Sequence, residues 1–104
     1  MIKSSGLIVV DTIVYTGRCR LRGVSFSATT AKTPTLTVYD GLTAAVGATK
    51  VVAYAVAAMV TTVSACNYVI KFSAEDNLIC DTGIFADFSV DTNDGKAIIY
   101  YEIL

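Results

Sequence analysis

Arg18-Cys19-Arg20-Leu21-Arg22-Gly23-Val24-Ser25-Phe26-Ser27-Ala28 alternates polar and apolar side chains with a period of two, the pattern of a β-strand with one face turned to a core. Arg18, Arg20 and Arg22 are all the arginines of the chain, and they project from one face while Cys19 and Leu21 project from the other. The apolar parity then flips, because Cys19 and Leu21 are odd-numbered whereas Val24, Phe26 and Ala28 are even. One extra residue at Gly23 restores a single apolar face. That is what a β-bulge does, and glycine accepts the backbone angles a bulge often needs. The strand is expected to bend there and to be able to pass from one sheet to the other.

Working outward, the same period recurs. Leu36 and Val38 oppose Thr35, Thr37 and Tyr39; Tyr68, Ile70 and Phe72 oppose Val69, Lys71 and Ser73; Ile84, Ala86, Phe88 and Val90 oppose Phe85, Asp87 and Ser89. These read as half-buried strands. Valine, isoleucine and threonine make up 35 of the 104 residues, and β-branched side chains suit pleated surfaces better than helices. Turn residues punctuate the chain at Asp11-Thr12, Thr16-Gly17, Thr33-Pro34, Asp40-Gly41, Gly47, Glu75-Asp76-Asn77, Thr82-Gly83 and Asn93-Asp94-Gly95. The expected strands are Leu7–Val10, Ile13–Tyr15, Cys19–Ala28, Thr35–Tyr39, Lys50–Val56, Asn67–Ser73, Leu78–Cys80, Ile84–Val90 and Ala97–Ile103. The alanines of 42–60 also allow a helix. With no linker or repeat in view, residues 1–104 are read as one antiparallel all-β sandwich of about eight short strands.

Composition narrows the function. Charged residues are 16% and hydrophobic residues 54%, with a mean hydropathy of +0.60, so solvent-facing side chains are scarce for a domain of 11.0 kDa. A domain this small leaves much of its surface unburied, and the excess apolar area points to cover by other copies or by partners. The shortage of charge is sharpest in 51–70 and in the last eight residues. The closing run Ala97-Ile98-Ile99-Tyr100-Tyr101-Glu102-Ile103-Leu104 is apolar on both faces, as a central strand or one covered by a neighbouring subunit would be. Net charge is only −1, which gives no bulk attraction to nucleic acid or to acidic membranes. Residues 1–50 carry six cations against two anions, and 51–104 two against seven. Basic and acidic edges could thus alternate around a ring of subunits, or strands from both halves could interleave and mix the charges.

Val51–Ile70 is an uncharged run of 20 residues, long enough to span a bilayer as a helix. It contains Thr61, Thr62, Ser64 and Asn67 and neither leucine nor phenylalanine, so two buried strands joined by a polar turn are expected and no membrane partner. Residues 1–10 are too weakly patterned for a secretory signal. Cys19, Cys66 and Cys80 are odd in number, widely spaced and unaccompanied by histidine, which argues against a disulfide framework and a zinc site. They read as buried small apolar residues of a protein made in a reducing compartment.

Catalytic signatures are missing. Without histidine, Ser-His-Asp and Cys-His chemistry is impossible within one chain, and no phosphate-binding or nucleophile-elbow motif occurs. Asp81 and Asp87 read as solvated acids rather than a glycosidase pair. Asp91-Thr92-Asn93-Asp94-Gly95 has its glycine one place early for a calcium loop and reads as a hairpin turn. No catalytic residue, metal ligand or cofactor is assigned. Three guanidinium groups on one strand face can grip a partner's carboxylates or phosphates, or can pair with Asp81, Asp87 or Glu102 on adjacent strands. No aromatic platform for bases lies beside them, so nucleic acid is not an expected partner. Six tyrosines without tryptophan suit core edges and subunit interfaces, with glycan stacking as the alternative.

Cys19–Ala28, then Leu36-Thr37-Val38-Tyr39-Asp40-Gly41, then Gly83–Val90, then Ile98-Ile99-Tyr100-Tyr101 together resemble small virion proteins of tailed bacteriophages. In that family an Arg-Leu-Arg-Gly strand, a Leu-Thr-Val-Tyr-Asp-Gly hairpin, a Gly-hydrophobic-x-x-Asp strand and a tyrosine-ending strand follow in that order. The resemblance spans about residues 15 to 102, with the Ala-Val run at Val51–Val60 longer and more apolar than in the family. It implies a jelly-roll-like sandwich, usually a homotrimer, made in the host cytoplasm and mounted on the outer capsid surface as a decoration or cement protein that bridges major-capsid subunits. The alternative is a tail- or fibre-associated receptor- or glycan-binding module. Arg18, Arg20, Arg22, Tyr100, Tyr101 and Ile103 are the expected partner or subunit contacts.

Overall fold

A computed structural model of the chain describes residues 1–28, 35–42, 50–56, 67–88 and 95–104. Among these residues the strands are β1 (Ile2–Ser4), β2 (Thr12–Thr16), β3 (Cys19–Ala28), β4 (Thr35–Asp40), β5 (Lys50–Val56), β6 (Asn67–Lys71), β7 (Ile79–Cys80), β8 (Gly83–Phe88) and β9 (Gly95–Ile103), with a 3₁₀ turn at Ala74–Asp76. They form two antiparallel sheets. One runs β1-β9-β3-β6, with β7 also pairing β3, and the other runs β2-β8-β4-β5.

The two sheets close over one apolar core. Cys19, Leu21, Val24, Phe26, Cys80, Ala97, Ile99 and Tyr101 come from the first, and Leu36, Val38, Ile84, Ala86 and Phe88 from the second. Phe26 meets Phe88 across the interface with ring centroids 6.1 Å apart, and Tyr15 meets Tyr101 at 5.3 Å. Burying a large apolar side chain contributes about 1.5–3 kcal/mol each, which is why period-two alternation fixes strand orientation so firmly.

The parity flip in β3 is resolved by a bulge. Leu21 lies opposite Tyr101 and Gly23 opposite Tyr100, so Arg22 is the extra residue, one place before the expected Gly23. Cys19, Leu21, Val24 and Phe26 all end up buried on one face. β3 does not change sheets: it pairs with β9 from Cys19 to Ala28, because the inserted residue restores parity and leaves no reason to cross over.

The expected strand at Leu7–Val10 is replaced by β1 at Ile2–Ser4. Ser5 N–H donates to the Ile99 carbonyl at 2.8 Å while the Ile99 N–H donates to Ser5 Oγ at 2.9 Å, and Gly6 then takes φ +72, a left-handed angle that interrupts the ladder. The segment between β1 and β2 meets β9 again at Ile8, which exchanges two hydrogen bonds with Ala97. β5 replaces the helical option over Lys50–Val56, β5 and β6 lie in different sheets, and no helix among the described residues is long and apolar enough to cross a membrane. The turn expected at 61–65, the calcium-like loop at 91–94, Val90 and Cys66 lie outside the described residues. Each sheet interleaves strands from both halves of the chain, with β9 between β1 and β3 and β8 between β2 and β4. Basic and acidic segments therefore adjoin within a sheet, and the ring of opposed charged edges loses its basis.

Candidate functional site

The outer face of the β1-β9-β3-β6 sheet carries the polar side chains of β3. Arg20 Nη1 donates to Glu102 Oε1 at 2.8 Å, and Arg22 Nη1 donates to the same oxygen at 3.2 Å. These arginines and Glu102 are only about one-fifth exposed (20% and 23%), so the triad is shielded enough to be specific. Register produces it: Arg20 is the partner of Glu102 across β3 and β9, and the bulge brings Arg22 back over the same acid. Arg22 Nε also donates to the Phe72 carbonyl at 2.9 Å, tying the end of β6 to the bulge. Arg20 Nε is buried without a partner. Hydrogen bonding from Arg20, then from Arg22, together with their charges, holds the Glu102 carboxyl below its ordinary pKa against the opposing effect of burial.

Arg18 sits apart, its Nε 3.3 Å from Asp81 Oδ1 with both side chains mostly in solvent, a geometry that contributes little to stability. Two of the three anticipated intrachain acids thus do pair with the arginines. Asp87 lies in the other sheet beside Asp11, whose Oδ1 accepts the Phe88 N–H at 2.8 Å. Burial first, then the charge and hydrogen bond of Asp11, push the Asp87 carboxyl above its usual range.

Of the C-terminal contact residues, Tyr101 is a core residue, stacked on Tyr15 and 9% exposed, because its odd parity on β9 points it between the sheets. Tyr100, of opposite parity, lines a groove of about 490 Å³ together with Ile2, Arg22, Gly23, Ser25, Lys71 and Phe72. Gly23 lies on the groove lining at the bulge. Ile103 and Leu104 are 43% and 46% exposed at the strand end.

Sequence reasoning missed the apolar N-terminal edge. Ile2, Leu7, Val9, Val10 and Ile13 are exposed along β1, β2 and the segment between them, and β1 and β2 are each the terminal strand of their sheet. The available signal was the cluster Leu7-Ile8-Val9-Val10 directly after Gly6, too apolar for a solvent loop. Among the described residues no group of three or more potential ligands could hold a metal ion. No known protein family, curated protein or solved structure matches the chain.

Proposed function

We propose that this is a structural virion protein of a tailed bacteriophage, a capsid decoration or cement protein with a jelly-roll-like fold that self-associates and bridges major-capsid subunits. The observation that carries this reading is the strand order. Setting β7 aside, first pairs with last (β1 with β9), second with next to last (β2 with β8), then β3 with β6 and β4 with β5. That is one long antiparallel hairpin, and the added β9–β3 and β8–β4 pairings roll it into two sheets. Jelly rolls of this kind serve viral capsid and lectin domains, an argument by fold analogy that joins the motif resemblance.

Between those two classes, the exposed apolar edge formed by Ile2, Leu7, Val9, Val10 and Ile13 favours assembly, since a permanent contact removes such side chains from water. The particle that carries the protein supplies the test: a major capsid protein co-purifying with the chain supports the proposal, and recovery of the chain free of any particle component contradicts it.

A second reading, a glycan-binding module, rests on the groove beside the bulge. Tyr100 and Phe72 offer ring surfaces, Ser25 a hydroxyl, and Arg22 and Lys71 positive charge. A glycan array would show acidic saccharides bound if this reading holds, and no binding to any saccharide would dispose of it.

A further inference from the structure

We propose that Cys19 and Cys80 are the two halves of a cross-strand disulfide that forms in the folded protein under oxidising conditions and fixes β7 to β3. The inference is independent of the functional reading. Cys19 and Cys80 are direct register partners in the antiparallel β3–β7 pair, both are reduced, and both are fully buried. Directly opposed residues of an antiparallel pair have Cα atoms roughly 4.5–5.5 Å apart, inside the range of about 4.4–6.8 Å that a disulfide spans. Their side chains share one core cluster, so the two sulfurs already lie on the same side of the sheet. A hydrogen bond from the Cys80 thiol favours the Cys19 thiolate, outweighing burial and the nearby negative charge of Asp40, so the two sulfurs are already in hydrogen-bonding contact.

With a low-molecular-weight disulfide as oxidant, the Cys19 thiolate attacks one reagent sulfur, breaks the reagent S–S bond and releases one reagent thiolate. Cys80, deprotonated, then attacks the Cys19 sulfur and expels the second reagent thiolate. Two electrons pass to the reagent, and the two protons of the cysteine thiols end on its two thiolates. The reagent gains entry through β7. This strand is two residues long and pairs with β3 through Cys19 and Arg20, with the Leu21 N–H to Leu78 carbonyl bond of 2.9 Å before it and the Asp40 carboxylate holding the Asp81 and Thr82 N–H groups after it, so it opens more readily than the ten-residue β3 or the nine-residue β9.

The native chain, treated with oxidised glutathione without denaturant, is to be digested and mapped by mass spectrometry, alongside Cys80→Ser and Cys66→Ser variants. The expected product is an intramolecular Cys19–Cys80 peptide lighter by two hydrogens, present in the native chain and in C66S and missing in C80S. Its thermal midpoint should exceed that of the reduced chain by at least about 5 °C and return on reduction, since the crosslink closes a long loop. If C66S does not fold, the native chain decides alone. Thiols that stay reduced, or linkage through Cys66 instead, overturn the disulfide; a Cys19–Cys80 link that leaves the midpoint unchanged or lowers it overturns the stapling role.

Discussion

Arg20 and Glu102 face each other across β3 and β9 with Nη1 and Oε1 2.8 Å apart, and Arg22, displaced by the bulge, reaches the same oxygen at 3.2 Å. One acid thus serves two half-buried cations. Replacing it by glutamine leaves both guanidinium groups without a counter-charge in a shielded setting, where an uncompensated ion is costly. Glu102→Gln is expected to lower the thermal midpoint clearly more than Asp81→Asn, whose partner Arg18 is 59% exposed and can turn to water. Scanning calorimetry on the two variants checks the ranking.

The two perturbed carboxyls give opposite pH dependences. Glu102 has its folded pKa depressed, so its contribution is complete above the unfolded value of about 4.3 and is lost as pH falls through the lower folded value. Asp87 has its folded pKa raised, so the native state holds its proton more tightly and stability declines as pH rises from the unfolded value of about 3.9 through the folded one. Asp87→Asn should therefore melt higher than the parent at neutral pH and close to it near pH 3, when both carry no charge there. Melting curves across pH 3–8 read this out.

Gly83 takes φ +154, and a Cβ there would run into the Tyr15 carbonyl. The same turn is braced by Asp40, whose two carboxylate oxygens accept the Asp81 and Thr82 N–H groups at 3.0 Å each. Gly83→Ala is expected to cost at least about 2 kcal/mol, since neither the angle nor the backbone contact can relax cheaply. Urea denaturation measures it.

Phe26 is completely buried against Phe88. Truncation to alanine leaves a cavity between the sheets and should cost about 3–5 kcal/mol. By contrast, a paired Val9→Lys and Ile13→Lys variant alters side chains 41% and 51% exposed, and should leave the fold within about 0.5 kcal/mol of the parent while weakening assembly. Circular dichroism melts beside sedimentation velocity separate the two effects.

Much of this was legible in the residues themselves. The parity flip between Leu21 and Val24 announced the bulge to within one position, and period-two patterns located β4, β6 and β8, of which β4 and β8 each turn one face to the core. The all-β class followed from β-branched content and turn spacing. What the sequence concealed depends on partners distant in the chain. Glu102 becomes the hub of the arginine face only because β9 lies against β3, and Tyr101 parts from Tyr100 only once β9 is known to be central with one face inward. The N-terminal strand was misplaced because Leu7–Val10 has the propensity, whereas pairing with β9 and the left-handed turn at Gly6 move the ladder to Ile2–Ser4.

The claim that this chain is an assembling structural protein is tested most directly by light scattering on the purified chain during size-exclusion chromatography. A trimer or larger assembly built from the 11.0 kDa chain is the predicted result, and a monodisperse monomer that persists at high protein concentration would contradict it.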